Sequence, residues 1–319
     1  MMEHYVTLFD GLFLPQGLAL HASMQRYLGD YTLWILCVDD EAYEVLTKLL
    51  LPNVRLLQLS KLETEELLHV KPTRSISEYC WTLTPFAPRF VFEADSGVKR
   101  VTYLDADLWF RKHPQPIFDE LERSGKHVLI TDHAYAPEYD QSATSGQFCV
   151  QFMTFTRDGG EIVRKWWEER CIEWCYARLE GGKFGDQKYL DDWPIIFANY
   201  VHVLEGVHYA LAPWNAVRFP YGGSIFYHFH SYRYGRRNKY SDGYKLPLVL
   251  ISNVYEYYDA DIMSAVGLLD NIGYTARHQH SLILPFATLD SIIRSLFVRD
   301  HVSIRFVHGG RRHSKTGSA

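Results

Sequence analysis

Short apolar runs alternate with segments of helical spacing in the first part of this chain. The runs at residues 5–9, 31–38 and 54–59 are rich in aromatic, aliphatic and β-branched residues, a composition typical of buried strands. Because parallel strands are joined by helical crossovers, this order predicts an α/β fold with a mainly parallel central sheet flanked by helices. Ligands of such sheets bind beyond the carboxyl ends of the strands.

A further apolar run, residues 101–110, is predicted to be a buried strand that is interrupted by two carboxylates, Asp105 and Asp107. An uncompensated carboxylate in a protein interior is costly, so a pair at the end of a core strand requires a counter-charge. A hard divalent cation, Mn²⁺ or Mg²⁺, would supply it, with phosphate oxygens of a substrate in the remaining positions. The alternative is a pair of solvated turn carboxylates.

Other acidic residues follow predicted strands in the same way. Asp10 comes directly after the first strand, and Asp132 follows a short predicted strand at residues 127–131. The first strand is not followed by Gly-x-Gly-x-x-Gly, which argues against a dinucleotide-binding dehydrogenase.

Three later segments carry polar or aromatic groups suited to a ligand. Asp186 and Gln187 follow a glycine at a predicted helix start, where they would bind sugar hydroxyls or where Asp186 would only cap the helix. Trp214, in a predicted turn, is a candidate for stacking on a sugar or base. His228 and His230 alternate along a predicted strand and would share one face, as metal ligands or as satisfied polar groups.

Composition excludes several other classes of protein. The net charge of -5 gives no overall attraction to nucleic acid. The five cysteines are odd in number and lie mostly in apolar segments, which fits reduced thiols in a cytoplasmic protein. We expect neither a signal peptide nor a membrane-spanning segment.

The C-terminal part of the chain changes character. From about residue 245 the strand rhythm is lost, and residues 281–319 combine an apolar segment with a basic end. This profile predicts either an amphipathic segment drawn to anionic lipid at the inner face of the plasma membrane or a terminal helix packed on the core.

These motifs, and the order in which they occur along the chain, resemble those of the family 8-like retaining glycosyltransferases, which have the GT-A nucleotide-sugar fold. Residues 103–108, Tyr-Leu-Asp-Ala-Asp-Leu, are similar to the family's metal-binding signature. Residues 185–187, Gly-Asp-Gln, are similar to its Asp-Gln element beside the reacting carbon. Residues 228–231, His-Phe-His-Ser, resemble its His-x-x-Gly, whose histidine completes the metal site.

The resemblance implies a role for each candidate residue. Mn²⁺ or Mg²⁺ would be bound by Asp105, Asp107 and His228, with His230 as a substitute ligand. The residues nearest the reacting sugar would be Asp132, Asp186 and Gln187. The nucleotide would be contacted by the set of Asp10, Asp105, Trp214, Arg233 and Arg236, in which an arginine suits the diphosphate.

The chain also departs from the family pattern. The family usually has Asn-x-Gly after an aromatic, and this chain has Cys149-Val150-Gln151 after Phe148. Ser231 replaces the glycine of His-x-x-Gly. The likeness ends near residue 240, which divides the chain into a transferase domain, 1–244, and a helical, basic extension, 245–319.

The implied activity is metal-dependent transfer of a sugar from a nucleotide-diphosphate donor, a UDP-sugar, to a saccharide or lipid-linked acceptor. Retention of configuration and a place in surface polysaccharide or lipopolysaccharide synthesis follow from the same resemblance. One alternative is a sugar nucleotidyltransferase, which would carry a basic loop after the first strand, whereas residues 10–17 contain no lysine or arginine. Another is a non-catalytic nucleotide-sugar-binding protein, suggested by Cys149 and Gln151.

Overall fold

The structure is a computed structural model that describes residues 2–235 and 243–279. Its central sheet has seven strands in the order β3-β2-β1-β4-β7-β6-β8. Their bounds are β1 Glu3–Phe9, β2 Tyr31–Cys37, β3 Val54–Gln58, β4 Arg100–Leu104, β6 Val128–Asp132, β7 Phe148–Thr156 and β8 Val201–Val203. A smaller sheet contains β5 Leu108–Phe110, β9 Ala210–Leu211 and β10 Phe226–His228.

The pairing of the central strands confirms the predicted mainly parallel sheet. β1 is parallel to β2 and β4, β2 is parallel to β3, and β6 is parallel to β8. Only β7 is antiparallel to both of its neighbours, β4 and β6. The carboxyl ends of the other six strands therefore meet at one edge of the sheet.

The run predicted as a single interrupted strand, residues 101–110, is in fact two strands that belong to different sheets. β4 ends at Leu104, and β5 begins at Leu108 in the smaller sheet, antiparallel to β10. The chain turns between them, where the amide of Leu108 donates to the carbonyl oxygen of Asp105 at 3.1 Å. A turn exposes the two carboxylates to the edge of the sheet, whereas a continuous strand would have buried them in it.

Helices cover both faces of the sheet. They are α1 Leu14–Tyr27, α2 Asp40–Leu49, α3 Glu65–Val70, α4 Ile76–Leu83, α5 Phe86–Ala94, α6 Gln115–Ser124, α7 Ser142–Ser145, α8 Arg157–Glu173, α9 Trp193–Ile196, α10 Leu248–Leu250 and α11 Glu256–Asn271. Alternate residues of β1 enter two different hydrophobic clusters, Tyr5 and Phe9 in one and Val6 and Leu8 in the other. This alternation is what a strand covered on both faces requires.

Helix α8 ends at Glu173, since Trp174 is extended and Leu179, farther along the chain, is 52% exposed. The last carbonyls of α8 are occupied from outside the helix, since Arg74 donates to the carbonyl oxygens of Cys171 and Ile172 at 2.7 and 2.8 Å. These bonds satisfy groups that would otherwise need a further helical turn.

The described part of the predicted C-terminal extension is helical, as expected. α10 continues through a π-helical turn, Ile251–Tyr255, into α11, whose Tyr258 and Ile262 share a hydrophobic cluster with Leu18 and Met24 of α1. The division of the chain at residue 244 stays a prediction, and the predicted amphipathic tail, 281–319, lies outside the described residues. Within the described ranges, no helix is both long and apolar enough to cross a bilayer.

Candidate metal centre and donor site

The turn between β4 and β5 brings the predicted metal ligands together. Asp105 and Asp107 lie in this turn, and His228 ends β10, where it pairs with Leu108 of β5. The Nε2 atom of His228 is 3.1 Å from Asp107 Oδ1 and 3.7 Å from Asp105 Oδ2. One ligand atom from each of the three residues fits within 4.8 Å of the others. Residues far apart in sequence thus form one three-ligand group that could hold a metal ion.

Burial and charge act against each other in this group. Burial raises the pKa of Asp105 to about 6, which the charge of His228 opposes and the charge of Asp107 reinforces. Burial also opposes ionisation of Asp107, but His228 outweighs it and holds the pKa of Asp107 below its ordinary value. The two carboxylates in turn raise the pKa of His228 well above its ordinary value, against the effect of burial. Both carboxylates thus favour the protonated form of His228, and a divalent cation bound by the three side chains would take the place of that proton.

Two residues that sequence reasoning did not assign to the site hold its ligands in place. The hydroxyl of Tyr103 donates to Asp105 Oδ1 at 3.0 Å, and Gln151 Oε1 lies 2.9 Å from His228 Nδ1. In the sequence, Gln151 is notable as a departure from the family pattern, which suggests a non-catalytic binding protein and not a role in the metal centre. The signal that could have found it is a lone amide in an otherwise apolar stretch of β7, where a buried polar side chain requires a partner.

Asp186 lies just before a 3₁₀ helix, Gln187–Asp192, and is 3% exposed. Its side chain makes no capping hydrogen bond to this helix. Burial raises the pKa of Asp186 to about 7, although the hydroxyl of Thr84 opposes the shift. Its Oδ2 atom has no hydrogen-bond partner among the described residues. Asp186 thus presents an unsatisfied carboxyl oxygen, as a group that waits for a ligand would.

The side chains of Gln187 and Asp132 both bond to the short segment 145–147. The side-chain amide nitrogen of Gln187 donates to the carbonyl oxygen of Ser145 at 2.7 Å. Asp132, at the end of β6, accepts from the amide of Ala134 at 2.6 Å and from Gln147 Nε2 at 3.0 Å. Asp132 and Gln147 line a cavity of about 320 Å³ that Arg218 and Tyr135 also border.

Asp10 and Arg233 are predicted nucleotide contacts whose positions the structure describes. Asp10 directly follows β1, and its Oδ1 atom accepts from the backbone amides of Leu12 and Phe13 at 3.0 and 3.3 Å. The charge of Arg233 contributes to the lowered pKa of Asp107. Arg236 lies outside the described residues.

Trp214 and His230 are placed differently from the three metal-ligand candidates. Trp214 is only 4% exposed, and its ring centre lies 5.3 and 5.4 Å from the rings of His228 and His230. The ring centres of the two histidines are 5.9 Å apart, and His230 does not join the three-ligand group. Trp214 therefore packs against the metal-ligand histidine, and its stacking on a sugar or base stays a prediction.

Ser231 shows why a glycine suits the turn after these histidines. Its φ is +65°, in the left-handed region that glycine adopts without strain. The position that the resemblance assigns to a glycine is thus occupied by a serine in a glycine-like conformation.

Comparison with known proteins identifies both relatives and fold. No family model matches the chain. The uncharacterized protein YfnF of Bacillus subtilis (strain 168) is 33% identical over 253 residues, which are 73% of this chain and 82% of YfnF. The uncharacterized protein YfnD of the same organism is 30% identical over 248 residues, 72% of this chain and 78% of YfnD.

Solved structures with similar folds are glycosyltransferases. The galactosyltransferase LgtC, in complex with donor and acceptor sugar analogs, aligns with a TM-score of 0.51 over 82% of this chain and 95% of its own, at 12% identity. The glycosyltransferase GlyE of Streptococcus pneumoniae TIGR4, in its apo form, aligns with a TM-score of 0.52 over 88% of this chain and 66% of its own, at 14% identity. Such likenesses establish the GT-A fold. The chain therefore has the GT-A fold and belongs to the family of the Bacillus subtilis proteins YfnF and YfnD.

Proposed function

We propose that this chain is a metal-dependent glycosyltransferase of the retaining, family 8-like type. It would move a sugar from a nucleotide-diphosphate donor, a UDP-sugar, to a saccharide or lipid-linked acceptor. The observation that carries the proposal is the group of Asp105, Asp107 and His228 at the carboxyl edge of a GT-A sheet. Open α/β sheets bind their ligands at this edge.

The residues of the group fit a divalent cation. Two carboxylates and one imidazole suit Mn²⁺, and the oxygen ligands also suit Mg²⁺. Burial and the repulsion of Asp107 raise the pKa of Asp105, and a bound cation would offset both by favouring the ionised carboxylates. When bound, the cation supplies Lewis-acid stabilisation of the negative charge on the leaving diphosphate.

The surrounding side chains would bind and orient the two substrates. Arg233 would contact the diphosphate, with Arg236 as a second candidate, because a guanidinium suits paired phosphate oxygens. Asp10 would contact the base, and Trp214 would support the donor by stacking.

Asp132, Asp186 and Gln187 would hold the reacting sugar and the acceptor hydroxyl. Oδ2 of Asp186 lacks a partner among the described residues, so a sugar hydroxyl would satisfy it. Two routes would give retention. In one route, the leaving diphosphate takes the proton of the acceptor hydroxyl as that hydroxyl attacks the sugar from the same face. In the other, Asp186 displaces the nucleoside diphosphate to form a covalent glycosyl intermediate, and the acceptor hydroxyl then displaces Asp186 from the sugar.

The biological setting we propose is surface polysaccharide or lipopolysaccharide synthesis at the cytoplasmic face of the plasma membrane. The basic and apolar composition of residues 281–319 supports association with anionic lipid. Removal of residues 281–319 should release the protein from anionic liposomes in a sedimentation assay, and unchanged binding would refute this part of the proposal.

The test of the function is a thermal-shift screen of nucleoside diphosphates and nucleotide-sugars with and without Mn²⁺. A ligand that binds only the folded state stabilises it and raises its melting temperature. At a ligand concentration of one hundred times the dissociation constant, the stabilisation is about 2.7 kcal/mol. We expect metal-dependent stabilisation by UDP and a UDP-sugar. Absence of any shift with every nucleotide would overturn the proposal.

A second readout separates the competing activities. A glycosyltransferase releases nucleotide diphosphate from the donor, whereas a non-catalytic binding protein releases none. A sugar nucleotidyltransferase would instead form a nucleotide-sugar from a nucleoside triphosphate and a sugar phosphate, with release of pyrophosphate. Measuring all three products in one Mn²⁺-containing reaction decides among these activities.

A further inference from the structure

Gln151 is an unusual residue for its position in the sheet. It lies in β7 between the buried apolar residues Val150 and Phe152, and it is itself fully buried. Its Nε2 atom has no hydrogen-bond partner among the described residues. An unpaired amide donor in the interior destabilises a fold, so packing alone does not explain a glutamine here.

Gln151 contacts two residues of the candidate metal centre, one through its backbone and one through its side chain. Its backbone carbonyl oxygen accepts from the amide of Asp105 at 3.0 Å, at the point where the chain leaves β4. Its side-chain Oε1 lies 2.9 Å from Nδ1 of His228, which is 77 residues away in the sequence. One residue of the central sheet thus contacts two of the three ligand candidates, Asp105 in the turn after β4 and His228 at the end of β10.

The orientation of the Gln151 amide decides what His228 can do. A neutral imidazole carries one proton, and an oxygen acceptor beside Nδ1 keeps that proton on Nδ1. The lone pair of Nε2 then faces Asp105 and Asp107, as a metal ligand requires. If the amide presented its nitrogen instead, Nδ1 would accept, and Nε2–H would donate to Asp107, so His228 could not bind a metal.

We propose that Gln151 is a positioning residue that fixes the Nδ1–H tautomer of His228 and thereby makes its Nε2 atom a metal ligand. The inference rests on the metal centre of the proposed function and adds the residue that selects the ligand atom. It gives a purpose to a glutamine where the resembling family has a glycine. It also accounts for the unpaired Nε2 atom of Gln151, because the proposed role uses only the side-chain oxygen.

Two substitutions of Gln151 separate its oxygen from its volume. Gln151→Met keeps a similar volume, removes the acceptor at His228 Nδ1 and also removes the unpaired donor. Gln151→Glu keeps an oxygen acceptor and has no donor when ionised. Thr154→Val is the matched control, because Thr154 is a buried residue of the same strand whose hydroxyl bonds to Thr102 at 2.9 Å.

The measurement is the affinity of the nucleotide-free protein for Mn²⁺, followed by electron paramagnetic resonance of the free ion. We expect Gln151→Met to weaken Mn²⁺ binding about 10- to 100-fold. Gln151→Glu should bind Mn²⁺ at least as tightly as the unchanged protein. Thr154→Val should bind Mn²⁺ with close to the affinity of the unchanged protein. Wild-type affinity in Gln151→Met, with a cooperative thermal transition showing that the variant is folded, would overturn the proposal.

A second measurement keeps this inference distinct from the proposed function. If the unchanged protein binds no Mn²⁺, the metal centre and the proposed function fail together. The tautomer is then still tested by ¹⁵N–¹H correlation spectra of the His228 ring in the metal-free protein, recorded at a pH where the ring is neutral. A proton on Nδ1 in the unchanged protein and its loss from Nδ1 in Gln151→Met support the tautomer assignment, and a proton on Nε2 overturns it.

Discussion

Two clusters of charged side chains differ in whether their carboxylates are paired with arginines. On α8, Arg164 is 4% exposed at its side chain and pairs with Glu161 and Glu168, while Arg89 pairs with Glu168 from the other side. Arg89 also pairs with Glu93 at 2.8 Å, so each carboxylate of this α8 cluster has an arginine partner. Arg164 also donates to the carbonyl oxygen of Pro85 at 3.1 Å, so its remaining donor is used.

The carboxylates of the candidate metal centre have no such partners. Asp105 and Asp107 face one imidazole, and in the described ranges neither forms an ion pair with a lysine or an arginine. A cluster whose carboxylates are all paired with arginines needs no further cation, whereas carboxylates that share a single imidazole are suited to an added cation. The comparison predicts that substitutions in the two clusters will affect different measured quantities.

The largest effect is expected on activity, from Asp107→Ala. Because this variant loses a ligand of the cation, we expect donor turnover to fall by at least about 10³-fold, or roughly 4 kcal/mol of transition-state stabilisation. The variant should remain folded with only a small change in melting temperature, because it loses the ion pair with His228 but also the repulsion between the two carboxylates. Both quantities are measured on the same preparation, by nucleotide release with Mn²⁺ and by thermal unfolding.

Asp95→Ala is a matched control for that experiment. Asp95 is also an aspartate in an ion pair, with Arg55 at 3.1 Å, but it is more exposed and lies in another part of the fold. It should retain full activity. Full activity in Asp107→Ala itself would remove the metal centre from the mechanism.

An effect on stability and not on metal binding is expected from Arg164→Met in the α8 cluster. It leaves Glu168 with Arg89 alone and Glu161 without its partner, so we expect a loss of about 3 kcal/mol in the free energy of unfolding. Mn²⁺ affinity should not change. Glu173→Gln, in an exposed pair with Arg170 on the same helix, should cost less than about 0.5 kcal/mol. Chemical denaturation measures all three proteins, and equal losses from both variants would remove the distinction between buried and exposed pairs.

Much of the fold and of the candidate metal centre could be predicted from local patterns. The alternation of apolar runs and helical segments is sufficient for β1, β2 and β3, because buried parallel strands have a distinctive composition. Asp105 and Asp107 were recognisable as charged residues in an apolar run. His228 was recognisable from the alternation of a strand, although that pattern could not separate it from His230.

What the sequence could not provide depends on contacts between distant residues. The run at residues 101–110 divides between two sheets because its second half pairs with β10, more than a hundred residues later. The bond between Gln151 and His228 and the termination of α8 by Arg74 join segments that no local pattern relates. Periodicity reports how each segment is buried, not which segment buries it.

Asp186 extends the comparison to a buried carboxyl group that forms no ion pair within the described residues. We expect substitution of Asp186 to change how the stability of the protein depends on pH. Burial raises its pKa to about 7 from an ordinary value of 3.8, so between these values the folded protein holds a proton that the unfolded chain has released. Its contribution to stability is therefore fully present below the ordinary pKa and is lost as the pH rises through 7. Asp186→Asn cannot lose this proton, so at pH 8 we expect it to be more stable than the unchanged protein by on the order of 2 kcal/mol, and to show no such gain at pH 3.5. Denaturation curves at the two pH values measure the difference. An equal effect of the substitution at both pH values would mean that folding does not raise the pKa of Asp186, so that its carboxyl group is ionised in the folded protein at neutral pH.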